Sequence, residues 1–250
     1  MPIWFSVLLM LLAPQAHGFV HEQIGRNVDL SSVFRNVEDK EVTFQQLVES
    51  PQPILLVPVQ MGCAEHCRTH LRGLLDGLKR IRFVPGMHFK LILVSFDPNE
   101  TPLQAAELLR NLQRLYGRRY VPGGWDVLTG SVDVIQLFTT NLGLSFELNP
   151  PPGQIGHTAV AVFLDSNGRI VRYLYGPRYT PTAIKAGLIE AGQDQMGSSY
   201  ERFIYSLSRY DAKEQRYKIL PIKTLAWITL PLFVLWLTVF TVRDFLSRRR

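Results

Sequence analysis

The sequence predicts an α/β fold, a mixed sheet with flanking helices, followed by one C-terminal transmembrane helix. Three observations lead there. Ile54–Gln60 (ILLVPVQ) is a short apolar run of strand length, as expected of a strand covered on both faces. Downstream of it, strand-like runs alternate with segments whose leucines recur at helical spacing, the signature of β-α-β units. Thr224–Val242 then runs for 19 residues without a charge, close to the ~20 needed to cross a hydrocarbon core as a helix.

Each element follows in order. The apolar run Ile3–Ala13 and the small-x-small triplet Ala16-His17-Gly18 read as an export signal over residues 1–18, cut before Phe19. Its leading residues carry no Lys or Arg, which leaves an uncleaved anchor as the alternative. The strand 54–60 opens into Met61-Gly62-Cys63, and Glu65–Arg82 carries Leu71, Leu74, Leu75, Leu78 and Ile81 at helical spacing. Phe89–Phe96 is the next strand. Asp97-Pro98-Asn99-Glu100-Thr101-Pro102 caps a helix that continues through Leu108, Leu109, Leu112 and Leu115. Trp125–Thr129 is a strand, and Ser131 opens a helix to about Asn141. Thr158–Leu164 and Ile170–Tyr175, joined by Ser166-Asn167-Gly168, form a hairpin, and a last helix covers Thr182–Ala191. Of the common folds, thioredoxin-like fits this succession best.

Ser199–Tyr217 is polar and tyrosine-rich, and is read as a spacer helix before the membrane, with a docking surface as the alternative. Pro231 is tolerated inside a membrane helix. Arg243, Arg248, Arg249 and Arg250 beyond the span, against Arg216, Lys218 and Lys223 before it, place the C-terminus in the cytoplasm. The expected organisation is therefore a signal at 1–18, a thioredoxin-like domain at 19–195, a spacer at 196–223, the span at 224–242 and a basic tail at 243–250.

A formal charge of +6 raises the question of nucleic-acid binding. Phe19–Tyr217 holds 21 Lys and Arg against 20 Asp and Glu, so +5 of the total lies beyond it. The basicity belongs to the tail, and no nucleic-acid face is expected.

The two cysteines, Cys63 and Cys67, stand in a C-x-x-x-C at a strand-to-helix junction. A pair that close is no disulfide framework for a domain of this size. A helix N-terminus offers free N–H groups and partial positive charge, which favour thiolate over thiol. The two sulfurs can then share a metal ion or a disulfide.

Taken in order, several segments resemble the Sco/SenC family of copper chaperones. They are Ile24-Gly25 with Val28-Asp29-Leu30, Gly62-Cys63-Ala64-Glu65-His66-Cys67, Val94-Ser95-Phe96-Asp97-Pro98 with Glu100-Thr101-Pro102, Trp125-Asp126-Val127-Leu128-Thr129-Gly130, and Gly156-His157-Thr158. The resemblance covers about Ile24 to Ala191, and a C-terminal anchor is similar to one bacterial branch of that family. It implies copper, as Cu(I) with Cu(II) the alternative state, held by Cys63, Cys67 and His157. Two soft thiolates and an imidazole suit Cu(I), whereas a structural zinc site would ask for a fourth protein ligand. It also implies partners: the copper-site subunit of a haem-copper oxidase, and a thiol reductant or copper donor. The implied location is a bacterial inner membrane, crossed once, with the domain in the periplasm.

The loop departs from the family pattern C-P-x-x-C-P, since Ala64 and Arg68 occupy the proline positions. Arg68 beside Cys67 further favours the thiolate. His66 and Met61 are neighbouring donors expected to face solvent and to pack, respectively. His21, His70 and His88 have no supporting pattern, and Asp97 is expected to cap or bond within its loop. The competing function is a thiol-disulfide oxidoreductase that reduces the oxidase subunit's cysteines through the Cys63–Cys67 pair. The three-residue spacing, and the absence of a proline next to Thr158, weigh toward copper. A cysteine peroxidase lacks its Pro-x-x-x-Thr-x-x-Cys context before Cys63, and a plain interaction module is the remaining reading.

Overall fold

The computed structural model describes residues 20–62, 66–118, 121–146, 159–176, 179–192, 196–198, 200, 208–211, 216–219 and 230–240. In chain order the elements are β1 (Val33–Arg35), β2 (Glu41–Thr43), α1 (Phe44–Val48), β3 (Ile54–Val59), α2 (His66–Lys79), β4 (Lys90–Ser95), α3 (Pro102–Tyr116), β5 (Trp125–Leu128) and α4 (Val132–Asn141). They continue with β6 (Val160–Leu164), β7 (Ile170–Tyr175), α5 (Pro181–Ala191), β8 (Ser208–Asp211) and β9 (Arg216–Ile219). The succession from β3 to α5 is the one expected from the sequence.

Five strands form one sheet in the order β5-β4-β3-β6-β7. β3, β4 and β5 run parallel, and β6 and β7 return antiparallel. All six residues of β3, the middle strand, are buried, as its unbroken apolar sequence requires.

Pro58 sits inside this central strand, where a missing N–H ought to break a ladder. The register explains its place. Lys90 N–H donates to Pro53 O and Phe96 N–H donates to Val59 O, so the odd-numbered residues of β3 bond toward β4. The nitrogen of Pro58 therefore faces β6, where pairing stops at Leu56↔Val162. Pro58 costs no hydrogen bond and ends the β3–β6 ladder just before the cysteine loop.

Side chains alternate between two cores. Leu55, Val57, Leu93 and Phe163 face α2, α3 and α5. Leu56, Ile92, Val94 and Val162 face α1, α4 and the β1–β2 hairpin, where Phe34, Phe44 and Phe138 meet with ring centroids 4.8–6.4 Å apart. Helix α3 begins at Thr101, whose side chain caps Gln104 N–H while Gln104 reaches back to the Thr101 N–H, and it ends at Gly117 with φ 63°.

The structure differs from expectation at Leu115, at the cap of α3, before Ile54 and within 199–217. Leu115 is 48% exposed, and Tyr116 takes the inward place. The cap of α3 is Thr101 and not Asp97. Before Ile54, where no element was expected, a short hairpin and α1 cover the second face of the sheet. Within 199–217, where a spacer helix was expected, β8 and β9 pair antiparallel with Tyr210 opposite Tyr217, in keeping with the strand preference of tyrosine and isoleucine. Of the expected span 224–242, residues 230–240 are helical and exposed throughout. No helix among the described residues is long and apolar enough to cross a membrane. The signal 1–18 lies outside the described residues.

Gly187 in α5 supplies a sign test of the packing. Alanine in a helix is favoured over glycine by about 1 kcal/mol, but a Cβ at Gly187 would stand 2.6 Å from the Phe163 ring. Overpacking of about 1–3 kcal/mol should prevail. Gly187→Ala is therefore expected to lower the chemical-denaturation midpoint, and a raised midpoint would refute this account of the α5–sheet contact.

Candidate metal centre

Where β3 ends, the chain turns polar at Gln60 and enters Met61-Gly62-Cys63. Gly62 N–H donates to Glu100 Oε1 at 2.8 Å, and the Ser95 hydroxyl donates to Glu100 Oε2 at 2.5 Å. Ser95 closes β4 and is fully buried, while Glu100 is only 8% exposed. The root of the cysteine loop is thus tied to the β4–α3 loop through a buried carboxylate. Burial pushes the Glu100 carboxyl above its ordinary value, although hydrogen bonds from Ser95, Gly62 and Met61 pull the other way and Asp97 adds to the rise. Beside it, Gln60 Nε2 donates to Asp97 Oδ2 at 3.2 Å, and Asn99 N–H donates to Asp97 Oδ1 at 3.0 Å. Asp97 is the loop hydrogen-bonder that the sequence suggested.

Cys67 is the second residue of α2, in its first turn, as expected for a thiolate favoured by a helix N-terminus. Cys63 and His157 lie outside the described residues, as does the side chain of Cys67. The segment that carries His157 is bracketed by described residues. Phe146 stacks on Phe96, just past β4, with centroids 4.1 Å apart. At the other end, β6 begins at Val160, and the antiparallel register that pairs Leu56 with Val162 brings that strand end alongside Pro58. Phe146 and Val160, which bracket segment 147–158, therefore both lie at the sheet edge where β3 ends. Among the described residues, no group of three His, Cys, Asp or Glu is arranged to hold a metal.

Of the other candidates, Met61 is half-buried and packs against the core that contains α2 and α3. The side chain of His66 lies outside the described residues, and His21 is exposed. His88 Nδ1 accepts from Val84 N–H at 3.0 Å, a structural contact. His70 is 1% exposed, and its Nε2 meets the Tyr179 hydroxyl between α2 and α5. The residue whose role the sequence reading missed is Glu100. It stood inside a quoted motif, but a buried acid beneath a loop has the same local sequence as an exposed one near a helix cap.

No family model and no curated protein matches the sequence. Solved structures do resemble it. A candidate electron transfer protein from Aquifex aeolicus VF5 superposes with a TM-score of 0.58 at 22% identity, covering 71% of this chain and 98% of its own. A candidate electron transport protein from the same organism gives 0.55 at 22%, covering 67% and 98%. Arabidopsis thaliana ScoI, solved with copper bound, gives 0.50 at 18%, covering 67% and 97%. The fold of this chain is accordingly the thioredoxin-like mixed sheet with flanking helices that Sco proteins also carry.

The Glu100 tether is testable by stability. Glu100→Ala should cost about 1.5–3 kcal/mol, the worth of hydrogen bonds to a charged group, while Glu100→Gln keeps an acceptor for Gly62 N–H and should stay folded. Because the carboxyl is raised in the folded state, the folded chain binds that proton more tightly than the unfolded one. The stabilisation is complete below the ordinary value of 4.5 and is lost as pH rises through the folded value. Denaturant titrations across pH should show wild type losing stability relative to Glu100→Gln over that window. A flat difference would rule out the burial.

Proposed function

We propose that this chain is a membrane-anchored copper chaperone that binds one copper ion through Cys63, Cys67 and His157 and delivers it to the copper site of a haem-copper respiratory oxidase. The observation that carries the reading is the placement of Cys67 in the first turn of α2, directly after Gly62, which Glu100 holds, at the sheet edge where Phe146 and Val160 bracket the segment that carries His157. Two thiolates and one imidazole form a soft, low-coordinate donor set that suits Cu(I) and leaves an approach open for a receiving protein. The copper held by Arabidopsis ScoI, which shares the fold, supports the choice of metal. In the same reading, residues 1–18 are an export signal, 224–242 cross a bacterial inner membrane once, and the domain at 19–195 works in the periplasm with the tail 243–250 in the cytoplasm.

Such a compartment is oxidising, and a Cys63–Cys67 disulfide holds no copper. Loading therefore requires that the disulfide take up two electrons and two protons from a dithiol reductant, itself oxidised to a disulfide, or that Cu(I) arrive before oxidation.

The test is an anaerobic Cu(I) titration of the reduced full chain in detergent against a chromophoric chelator. One equivalent should bind tightly. Cys63→Ser and Cys67→Ser should each abolish binding, and His157→Ala should weaken it by orders of magnitude. Stoichiometric copper on the double cysteine variant would sink the assignment. Absence of tight binding together with a readily reversible Cys63–Cys67 disulfide would make the chain a thiol-disulfide oxidoreductase acting on the oxidase subunit.

A further inference from the structure

Beside the cysteine loop, α2 and α3 leave an open groove of about 490 Å³. Its apolar lining comes from Met61, Leu71, Leu108, Leu112 and Leu115. Arg68, Arg72 and Arg114 bring positive charge to it, and Glu107 is the one acidic residue in the lining. Lining residues run along α3 from Gln104 to Leu115, about 16 Å at 1.5 Å per residue. That is the length of a short peptide segment and not of a single small anion.

Intramolecular needs do not account for this charge. Among the described residues, none of the three arginines enters a salt bridge or a hydrogen bond. Arg68 and Arg72 are an i,i+4 pair of like charge, and Arg68 lies in the first turn of α2, which has no acidic residue. Both arrangements disfavour the helix by a few tenths of a kcal/mol. Residues 66–118 hold nine Lys and Arg against four Asp and Glu, whereas residues 20–50 hold three against six. Three of these nine, Arg68, Arg72 and Arg114, line one groove against the single acid Glu107, and the lining includes Met61, two residues before Cys63.

We infer that the α2–α3 groove is the docking site for an acidic segment of the partner protein, anchored by apolar side chains on Met61, Leu71, Leu108 and Leu112 and by carboxylates on Arg72 and Arg114. The inference rests on the proposed exchange at Cys63 and Cys67, since docking there brings the partner within reach of the loop. Arg68 is left out of the test because it is the chain neighbour of Cys67.

The probe is a labelled amphipathic peptide with leucines at i, i+3 and i+7 and glutamates between them, against a counterpart with lysine for glutamate, added to the reduced full chain in detergent. The glutamate peptide should bind by anisotropy, lose affinity as salt rises, and be preferred at least tenfold. Arg72→Glu/Arg114→Glu should reverse the preference, and Arg72→Gln/Arg114→Gln, which changes the surface less, should abolish it. Equal binding of both peptides, or no reversal in the charge-swapped variant, overturns the inference. So does displacement by millimolar inorganic phosphate, which would mark a small-anion site, or a wild-type dimer in sedimentation that the swapped variant lacks. The copper titration separates the two levels. Copper bound without peptide preference sinks the groove alone, whereas peptide preference without copper sinks the proposed function and leaves the groove standing.

Discussion

Strand β3 is buried at all six of its positions, with β4 on one side and β6 on the other. No face of it can carry chemistry, because a polar group there would lose water and find no partner. The chain can turn polar only where the strand ends, and Gln60 is the first residue to do so. Pro58 sharpens the ending by removing the donor that would have continued the ladder to β6. The polar features gather at this one edge: the Glu100 tether, the entry to β6, and the mouth of the α2–α3 groove. Open α/β sheets place ligands outside the carboxyl ends of their parallel strands for the same reason.

The tether has an energetic logic of its own. A carboxylate at 8% exposure loses much of its hydration, and hydrogen bonds from Ser95, Gly62 and Met61 offset that loss. The arrangement is stable only while the loop holds its place, since moving Gly62 away would leave the carboxylate short of a donor. Met61 contributes from the other side by packing into the core. The root of the cysteine loop is thus fixed by one polar and one apolar contact. This matters because no proline stands between Gly62 and His70, so the loop root is held by tertiary contacts and not by fixed backbone dihedrals.

Much of this was legible in the sequence where burial is two-sided or periodic. β3, β4 and the leucines of α2 announce themselves, and Asn167-Gly168 marks the β6–β7 turn. The three-residue strands β1 and β2 are too short to show a period, and Phe34 alone on β1 points inward. Leu115 fits the helical spacing yet faces solvent, because Tyr116 fills the available space against Trp125. Glu100 was unreadable since its partners, Ser95 and Gly62, are set by how β4 and β3 end side by side. The placement of Cys67 was readable from the strand-to-helix junction alone, while Cys63 and His157 rest on the resemblance and on the topology around them.

Charge shows the same division between what a total reveals and what an arrangement does. A balance of 21 against 20 over Phe19–Tyr217 gives no reason to expect a nucleic-acid face, yet it conceals an uneven distribution of charge. The acid-rich segment 20–50 covers one face of the sheet with β1, β2 and α1, whereas α2 and α3 on the opposite face carry the excess of arginine. Separation of this kind orients a protein in the field of a charged partner before contact, and so raises the fraction of encounters that are productive. The positive face is also the one that presents the start of α2. In the proposed docking, a partner on this face meets the start of α2, where Cys67 stands in the first turn.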